Sequence, residues 1–294
     1  MEFEPIWGAI IAWYLFLAGV GGGAYVFAAL LGWLFPTLKK MRRYALIMVP
    51  VVVIVGLLLL IVDAEGGLKN PLRFVLLLTN FGSVMTWGVV FLSGFVLIAL
   101  IALLLDLKGR PLPRWLDVLG VVLALSVALY TGALLGVAKT FPLWNTALLP
   151  ILFLVSALSA GGAAILLAGA LFAPEELAQI KSLKKAHYVL PLIELVLLAS
   201  LLFITFHNST AGAASVLSLV CGRYALAFWV GLVGLGLVLH VLVETKLLFF
   251  SSEAVEESAT ARYLGVATGA FVLVGGFLLR LLIVVAALPL SIVA

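Results

Sequence analysis

Long apolar segments separated by short polar connections dominate the pattern of this 294-residue chain. A membrane-spanning helix needs roughly 20 consecutive apolar residues, and segments of about that length recur along the whole sequence. They lie near residues 9–33, 45–62, 84–105, 117–137, 146–170, 188–206, 223–249 and 260–286. The pattern predicts an all-α integral membrane protein with eight transmembrane helices.

A weak internal repeat relates the first and fifth predicted helices. Shifting the first helix by 137 residues aligns residues 15–35 with residues 152–172 and matches seven of twenty-one positions. Leucine-rich segments also match by chance, so the alignment indicates a repeat without proving one. Because four helices separate the two copies, both copies would point the same way. We therefore expect two parallel four-helix bundles, over residues 1–137 and 138–294.

Composition supports the membrane assignment and narrows the chemistry that the protein can carry. Hydrophobic residues make up 65% of the sequence and charged residues 10%, with a mean hydropathy of +1.33. A soluble domain has about a quarter charged residues. The predicted spans use most of the sequence, which leaves no soluble domain for separate chemistry. The single cysteine, Cys221, excludes an iron–sulfur cluster, a zinc finger and an internal disulfide within this protein.

The charges of the connections predict an orientation. Connections after the first, third, fifth and seventh helices share one face, and the termini share the other face with the remaining connections. The first face, which we call the basic face, carries twelve cations: Lys39, Lys40, Arg42, Arg43, Lys108, Arg110, Arg114, Lys181, Lys184, Lys185, Lys246 and Arg262. The opposite face carries four: Lys69, Arg73, Lys139 and Arg223. The positive-inside rule places the basic face in the cytoplasm, so both termini are expected outside the cytoplasmic membrane.

Several ionisable side chains fall inside the predicted spans, where each costs about 2.5–3.5 kcal/mol by insertion scales. Arg280 lies in the outer half of the eighth helix, at a depth compatible with Asp63 or Glu65 at the end of the second. A structural ion pair and a role in proton transfer are both open for it. Glu194 and His240 lie in the inner half and could pass protons from the cytoplasm towards the centre, since histidine titrates near neutrality. The alternative is that such side chains snorkel to the inner interface.

The three histidines do not predict a haem. A membrane cytochrome needs axial ligands at matched depth on facing helices. His207 and His240 differ in depth by about 24 Å at 1.5 Å per residue, and His187 lies in a basic connection. Depth alone leaves His187 with His240 open, but we expect no haem and no metal site in this protein.

Aromatic side chains gather near the opposite face, some of them beside a glycine-rich run. Trp13 and Tyr14 precede Gly19 in the first helix, Tyr130 lies near the end of the fourth, and Lys139 follows it. Aromatic belts at membrane interfaces explain such residues without any ligand. Alternatively, the Tyr130 phenol donates a hydrogen bond to a quinone carbonyl, and the other aromatics hold the flat head group. Glycines allow either another helix or a flat ligand to come close.

Three stretches, taken together in their order and spacing, resemble the NrfD-like family, which includes the polysulfide reductase membrane subunit. They are the Tyr-Leu-Phe-Leu-Ala-Gly-Val-Gly-Gly-Gly run at residues 14–23, the loop with Asn70, Pro71, Arg73, Trp87 and Gly88, and Tyr130, Thr131 and Gly132 followed by Pro142 and Trp144. The resemblance extends over most of the sequence, including the number of helices.

The resemblance implies a quinone-reactive membrane anchor without redox groups of its own. Family members dock an iron–sulfur subunit, often joined to a molybdopterin catalytic subunit. They exchange electrons between its nearest cluster and a quinone, either menaquinone or ubiquinone, bound at the same face. In the polysulfide reductase member the quinone site combines a tyrosine of the fourth helix, matched here by Tyr130, with polar side chains of the first helix. Tyr14 stands at that polar position in this sequence.

We therefore expect the quinone-binding membrane subunit of a respiratory oxidoreductase complex, with Tyr130 bonded to a quinone oxygen. The residues expected to shape the pocket or to handle protons at its mouth are Trp13, Tyr14, Gly19, Asp63, Glu65 and Lys139. A secondary transporter or proton channel is the alternative, since parallel repeats and the intramembrane residues Glu194, His240 and Arg280 suit that class as well.

Overall fold

The computed structural model describes residues 7–63, 78–250 and 259–290. Eight helices are long and apolar enough to cross a membrane, which confirms the predicted all-α membrane fold. They are α1 (Ala9–Leu34), α2 (Lys39–Asp63), α3 (Val84–Leu107), α4 (Arg114–Gly136), α5 (Leu148–Phe172), α6 (Lys181–Asn208), α7 (Ala227–Phe249) and α8 (Ala259–Val285). Two shorter helices, Pro174–Leu177 and Thr210–Val220, lie between them.

Three helices begin earlier at the basic face than hydropathy predicts. The structure starts α2 at Lys39, α4 at Arg114 and α6 at Lys181, several residues before the first apolar residues of their spans. Hydropathy detects only the part of a helix that crosses the hydrocarbon, which is about 30 Å thick. The extra turns carry basic side chains into the interface, and they shift the middle of each helix towards the basic face.

The helix α1 is the centre of the packing, because it contacts α2, α4, α5 and α8. A Cβ added at Gly23 would overlap the carbonyl oxygen of Ala157, and one added at Gly161 would overlap the backbone at Ala24. The backbones of α1 and α5 therefore touch where they cross, as small residues allow. Of the two alternatives for the glycine run, a closely packed helix is the one that the structure shows at Gly23.

The two predicted halves of the protein share one core rather than forming separate bodies. The helix α1 packs on α2 and α4 from residues 1–137 and equally on α5 and α8 from residues 138–294. At the basic face, the Glu176 carboxylate accepts hydrogen bonds from the backbone amides of Lys40 and Met41, at 3.1 and 2.8 Å. A glutamate of the second half thus caps the first turn of α2. The division into two parallel repeats stays a prediction.

The helix α7 has an unusual backbone in the part that precedes His240. Its first part, Ala227–Leu239, is π-helical, and it continues as an α-helix from His240. A Cβ at Gly236 would lie 2.6 Å from the Cα of Gly275, so α7 and α8 touch through glycine backbones. Long π-helical segments are rare and often occur at functional sites. The wider turns end where the buried ring of His240 begins the α-helical part.

Candidate functional site

Two buried tyrosines meet near the opposite face. The side chain of Tyr14 in α1 is 0% exposed, and that of Tyr130 in α4 is 7% exposed. A Cβ at Gly88 of α3 would overlap the Tyr130 phenol, so this glycine makes room for the ring. The two hydroxyls lie near each other, but their arrangement does not satisfy the geometric criteria for a hydrogen bond. Within the described residues, the Tyr14 hydroxyl is buried without a hydrogen-bond partner.

The structure shows no hydrogen bond or ring contact between this pair and the other described residues that were predicted for the pocket. Trp13 is 42% exposed and stacks on Phe277 of α8, with ring centroids 4.0 Å apart. Lys139 is exposed in the connection after α4, and Asp63 is half-buried at the end of α2. Glu65 lies outside the described residues.

Arg280 is fully buried and donates hydrogen bonds to two neighbouring helices and to its own. Its Nε lies 3.3 Å from the Leu15 carbonyl oxygen, and its Nη2 lies 3.3 Å from the Phe153 carbonyl oxygen. Its Nη1 donates to the Gly276 carbonyl oxygen at 2.8 Å and to the Ser156 hydroxyl at 3.1 Å. The guanidinium is therefore held between α1 and α5.

Gly19 provides the space for this guanidinium. A Cβ at Gly19 would lie 2.8 Å from the Nη2 atom of Arg280, which is closer than side-chain atoms normally pack. The structure thus places Gly19 beside the buried cation. Leu15, whose carbonyl accepts from Arg280, directly follows Tyr14 in α1, but neighbouring residues of a helix point in different directions.

The described carboxylate that acts on Arg280 is Glu194, whereas the sequence suggested Asp63 or Glu65, of which Glu65 lies outside the described residues. Glu194 is 2% exposed, and it interacts with the Ser156 hydroxyl and with the charge of Arg280. The expected depth of Glu194 was wrong because α6 begins at Lys181 rather than near residue 188. The earlier start puts Glu194 at the middle of its helix, where it reaches the level of Arg280.

Two histidines approach each other towards the basic face. His187 and His240 are 1% and 2% exposed, and their ring centroids lie 5.6 Å apart. The Nε2 of His187 lies 2.8 Å from the Ser159 carbonyl oxygen, and since a carbonyl only accepts, this nitrogen donates. Neither ring nitrogen of His240 has a partner among the described residues.

His187 was missed by sequence reasoning, which placed it in a loop. The spacing of the buried positions in α6 is the pattern that would have placed His187 inside a helix. They recur every three or four residues along one face: Leu183, His187, Pro191, Glu194, Leu198, Leu201 and Thr205. This is the spacing of a buried helical stripe, so His187 and Glu194 lie two turns apart on the same face.

A cavity of about 460 Å³ opens at the basic-face ends of α5, α6, α7 and α8. Its polar lining includes His187, His240, Glu175, Glu244, Lys181 and Lys184, and its apolar lining includes Ala163, Leu166, Leu248, Gly265 and Gly269. The cavity lies across the membrane from the tyrosine pair. It is large enough for a small ligand or several water molecules.

A second buried carboxylate, which sequence reasoning also missed, belongs to Asp117 at the start of α4. It is 5% exposed and accepts from the Tyr25 hydroxyl at 3.2 Å and from the Trp33 Nε1 at 2.9 Å. Arg42 lies 4.0 Å away. All of these residues lie at the basic-face ends of α1, α2 and α4, and their hydrogen bonds satisfy the carboxylate locally.

Among the residues that the structure describes, no three His, Cys, Asp or Glu side chains come together as a metal ion would require.

Comparison with known proteins shows similarity over almost the whole sequence. A family model described as polysulphide reductase, NrfD, matches residues 1–290. A polysulfide reductase chain of Wolinella succinogenes is 36% identical over 275 residues, which span 82% of this protein and 84% of that relative. Protein NrfD of Escherichia coli is 30% identical over 276 residues, spanning 83% and 86%. A selenate reductase subunit of Mesobacillus selenatarsenatis is 23% identical over 287 residues, spanning 81% and 66%.

Proposed function

The chain belongs to the polysulphide reductase NrfD family of multi-pass membrane proteins, and from this premise we propose that it is the quinone-binding anchor subunit of a respiratory oxidoreductase complex. It exchanges electrons between a membrane quinone, menaquinone or ubiquinone, and an extracytoplasmic iron–sulfur subunit. Two relatives, named as parts of a polysulfide reductase and of a selenate reductase, support the assignment to a reductase complex.

The observation that carries the quinone proposal is the buried tyrosine pair. Buried tyrosine hydroxyls usually have a hydrogen-bond partner, and the Tyr14 hydroxyl has none among the described residues. A quinone carbonyl or hydroxyl is a suitable partner, and Tyr130 beside it offers a second phenol. The quinone supplies coupled two-electron and two-proton chemistry, while the protein binds and orients it and leads protons to its oxygens. Trp13 and Gly19, which contact Phe277 and Arg280, would shape the border of the site on the same helix as Tyr14.

The partner is expected on the opposite face, outside the cytoplasmic membrane. Electrons must pass between the quinone and the nearest iron–sulfur cluster, so the cluster has to lie close to Tyr130. Lys139, exposed after α4, is available for that contact. A molybdopterin catalytic subunit would complete the complex and carry the terminal reaction.

Proton movement is the second part of the proposal. Arg280 bonds to the backbone of Leu15 in α1, the helix that carries Tyr14, and Arg280 and Glu194 share Ser156. Protons would pass between the quinone site and this pair, and His240 would continue the route towards the basic face. Asp63, Glu65 and Lys139 would exchange protons on the opposite face.

Replacing Tyr130 with Phe tests the quinone site, because it removes one hydroxyl and keeps the ring that packs against Gly88. We expect quinol-linked turnover of the purified complex to fall about tenfold or more, since one lost hydrogen bond of about 1.4 kcal/mol has that effect. Subunit stoichiometry should be unchanged.

Tyr224→Phe is the matched control, because its hydroxyl donates to the Val285 carbonyl at 3.4 Å near the same face and away from the pair. Equal turnover in the Tyr130 variant and in this control would remove Tyr130 from the site.

A further inference from the structure

We propose that the cavity at the basic-face ends of α5 to α8 is a hydrated vestibule through which protons reach His240, His187 and Glu194. It would connect the quinone site on the opposite face with protons of the cytoplasmic side. The inference rests on the proposed function and adds the route and the side of proton exchange.

The ring of His240 requires hydrogen-bond partners that the described part of the protein does not supply. Both ring nitrogens are buried and have no hydrogen-bond partner among the described residues, and leaving a buried polar group unpaired is unfavourable. The ring lines a cavity of about 460 Å³, which is far more room than one water molecule needs. Both nitrogens are closed to solvent in this structure, so a small shift of the ring or of its neighbours would let water from the cavity satisfy them. A neutral imidazole then has one donor and one acceptor to relay a proton.

Polar groups continue beyond the histidines towards the membrane centre. The ring of His187 lies 5.6 Å from that of His240, and it bonds to the backbone of Ser159. The Ser159 hydroxyl is itself buried without a partner among the described residues. One helical turn along α5, Ser156 interacts with Glu194. Polar groups therefore follow one another from the cavity to Glu194, and two of them, His240 and the Ser159 hydroxyl, have no partner among the described residues.

The mouth of the vestibule carries charges of both signs. Lys181, Lys184, Glu175 and Glu244 line it, and Lys40 lowers the pKa of the Glu175 carboxyl through a direct hydrogen bond. Such a ring of charges favours water at the mouth, whereas the deeper wall is formed by small apolar residues. The titratable groups that face His240 across the cavity are thus His187 and these four side chains.

The route makes a definite prediction about charge movement. Each pair of electrons delivered by the iron–sulfur partner requires two protons at the quinone oxygens, and the reverse reaction releases two. If these protons cross from the basic face while the electrons arrive at the opposite face, turnover separates charge across the membrane.

The first experiment measures proton uptake or release at the basic face. The wild-type complex is reconstituted into liposomes with a pH-sensitive dye inside, and a membrane-impermeant substrate selects complexes whose basic face points inward. We expect the lumen pH to rise during quinone reduction and to fall during quinol oxidation. Turnover with no change of lumen pH would overturn the route while leaving the quinone function intact. Absence of quinone-linked turnover in the wild type would instead contradict the proposed function.

The second experiment fills the vestibule with a larger side chain. A Cβ at Gly265 would meet no atom within 4 Å, and Gly265 lines the cavity, so Gly265→Leu should fill it without disturbing the packing. We expect the lumen pH change and the turnover to fall together by about tenfold or more. Tyr263→Leu, at a position 73% exposed on the same turn of α8, is the control and should leave both unchanged. Wild-type proton exchange in Gly265→Leu would contradict the vestibule.

A third measurement does not depend on activity. Gly265→Cys in a Cys221→Ser background leaves one thiol in the protein, and a membrane-impermeant thiol reagent is added to one side of the membrane at a time. We expect the thiol to react from the basic face, and its modification to stop proton exchange. A thiol that does not react would show that the cavity is not hydrated, and a modified protein with full proton exchange would show that protons take another route.

Discussion

Arg280 is a fully buried cation, and several hydrogen bonds compensate for the loss of its hydration. Three carbonyl oxygens and the Ser156 hydroxyl accept from it, and Glu194 supplies the opposite charge. Removing one partner of a buried pair typically costs about 3–5 kcal/mol, because a charge is left uncompensated. The carbonyl ligands reduce this penalty, which would allow Glu194 to change its protonation state in the proposed route.

At this scale we predict that Glu194→Gln interrupts the supply of protons to the quinone. The amide keeps the size of the side chain and its contact with Ser156, but it cannot exchange a proton. Quinone-linked turnover of the purified complex and the proton displacement of proteoliposomes should therefore fall together by about tenfold or more.

Asp117→Asn is the matched control, since it makes the same change at a buried carboxylate outside the proposed route. The Asp117 carboxylate accepts hydrogen bonds from Tyr25 and Trp33. Unchanged proton displacement in the Glu194 variant would exclude this residue from proton transfer.

The contacts of a single intramembrane residue depend on its depth in the membrane and on the rotation of its helix, and the sequence predicts these only in part. Intramembrane charges at Arg280 and Glu194 are visible in the sequence, because each interrupts an apolar run. Their pairing is not visible, because it depends on where α6 begins and on which face of α5 presents Ser156. Sequence order and family resemblance singled out Tyr14 and Tyr130, and the structure brings these two side chains together. Their role in quinone binding stays a prediction.

Among the elements, the crossing of α1 and α5 depends on glycine at the point of contact. Gly161→Ala would place a methyl group against the backbone of Gly23 and Ala24, and backbone cannot move aside as a flexible side chain can. We expect the free energy of unfolding to fall by about 1–3 kcal/mol, as for overpacked cores. Thermal unfolding of the detergent-purified protein measures the change.

Gly265→Ala serves as the control, because a Cβ there meets nothing within 4 Å and alanine is the better helix former by about 1 kcal/mol. If Gly161→Ala is as stable as Gly265→Ala, the two backbones are not in contact as described.

The existence of the eight helices followed from hydropathy, but some of their ends did not. The first turn of α2 is capped by Glu176, which lies 135 residues from Met41 in the sequence. No local pattern reveals a cap of that kind. The π-helical part of α7 could not be predicted from the sequence either, since its apolar and glycine residues also suit an ordinary transmembrane α-helix.

For the whole molecule, the two functions differ in the subunits that they require. A transporter or proton channel would function without partner subunits. The proposed anchor should instead retain an iron–sulfur subunit when membranes are solubilised gently. We expect mass spectrometry of the purified protein to find that subunit, with a molybdopterin subunit, in stoichiometric amount. A protein that purifies alone and catalyses solute flux in liposomes would favour the transporter.

Two separate regions of the molecule are candidates for binding small molecules, and they lie on opposite sides of the membrane. The tyrosine pair has the polar groups that a quinone needs, whereas the larger described cavity lies at the basic face beside His240. Volume alone would favour the cavity. The Tyr14 hydroxyl, which has no partner among the described residues, and the proposed docking of the iron–sulfur subunit on the opposite face favour the tyrosine pair.

A photoreactive quinone analogue distinguishes these regions most directly. The purified complex is illuminated with the analogue and digested, and labelled peptides are identified by mass spectrometry, with excess natural quinone as competitor. We predict competed label on the segments of α1 and α4 that contain Tyr14 and Tyr130. Competed label confined to residues around His240 and Gly265 would contradict the central claim that the quinone binds at the tyrosine pair.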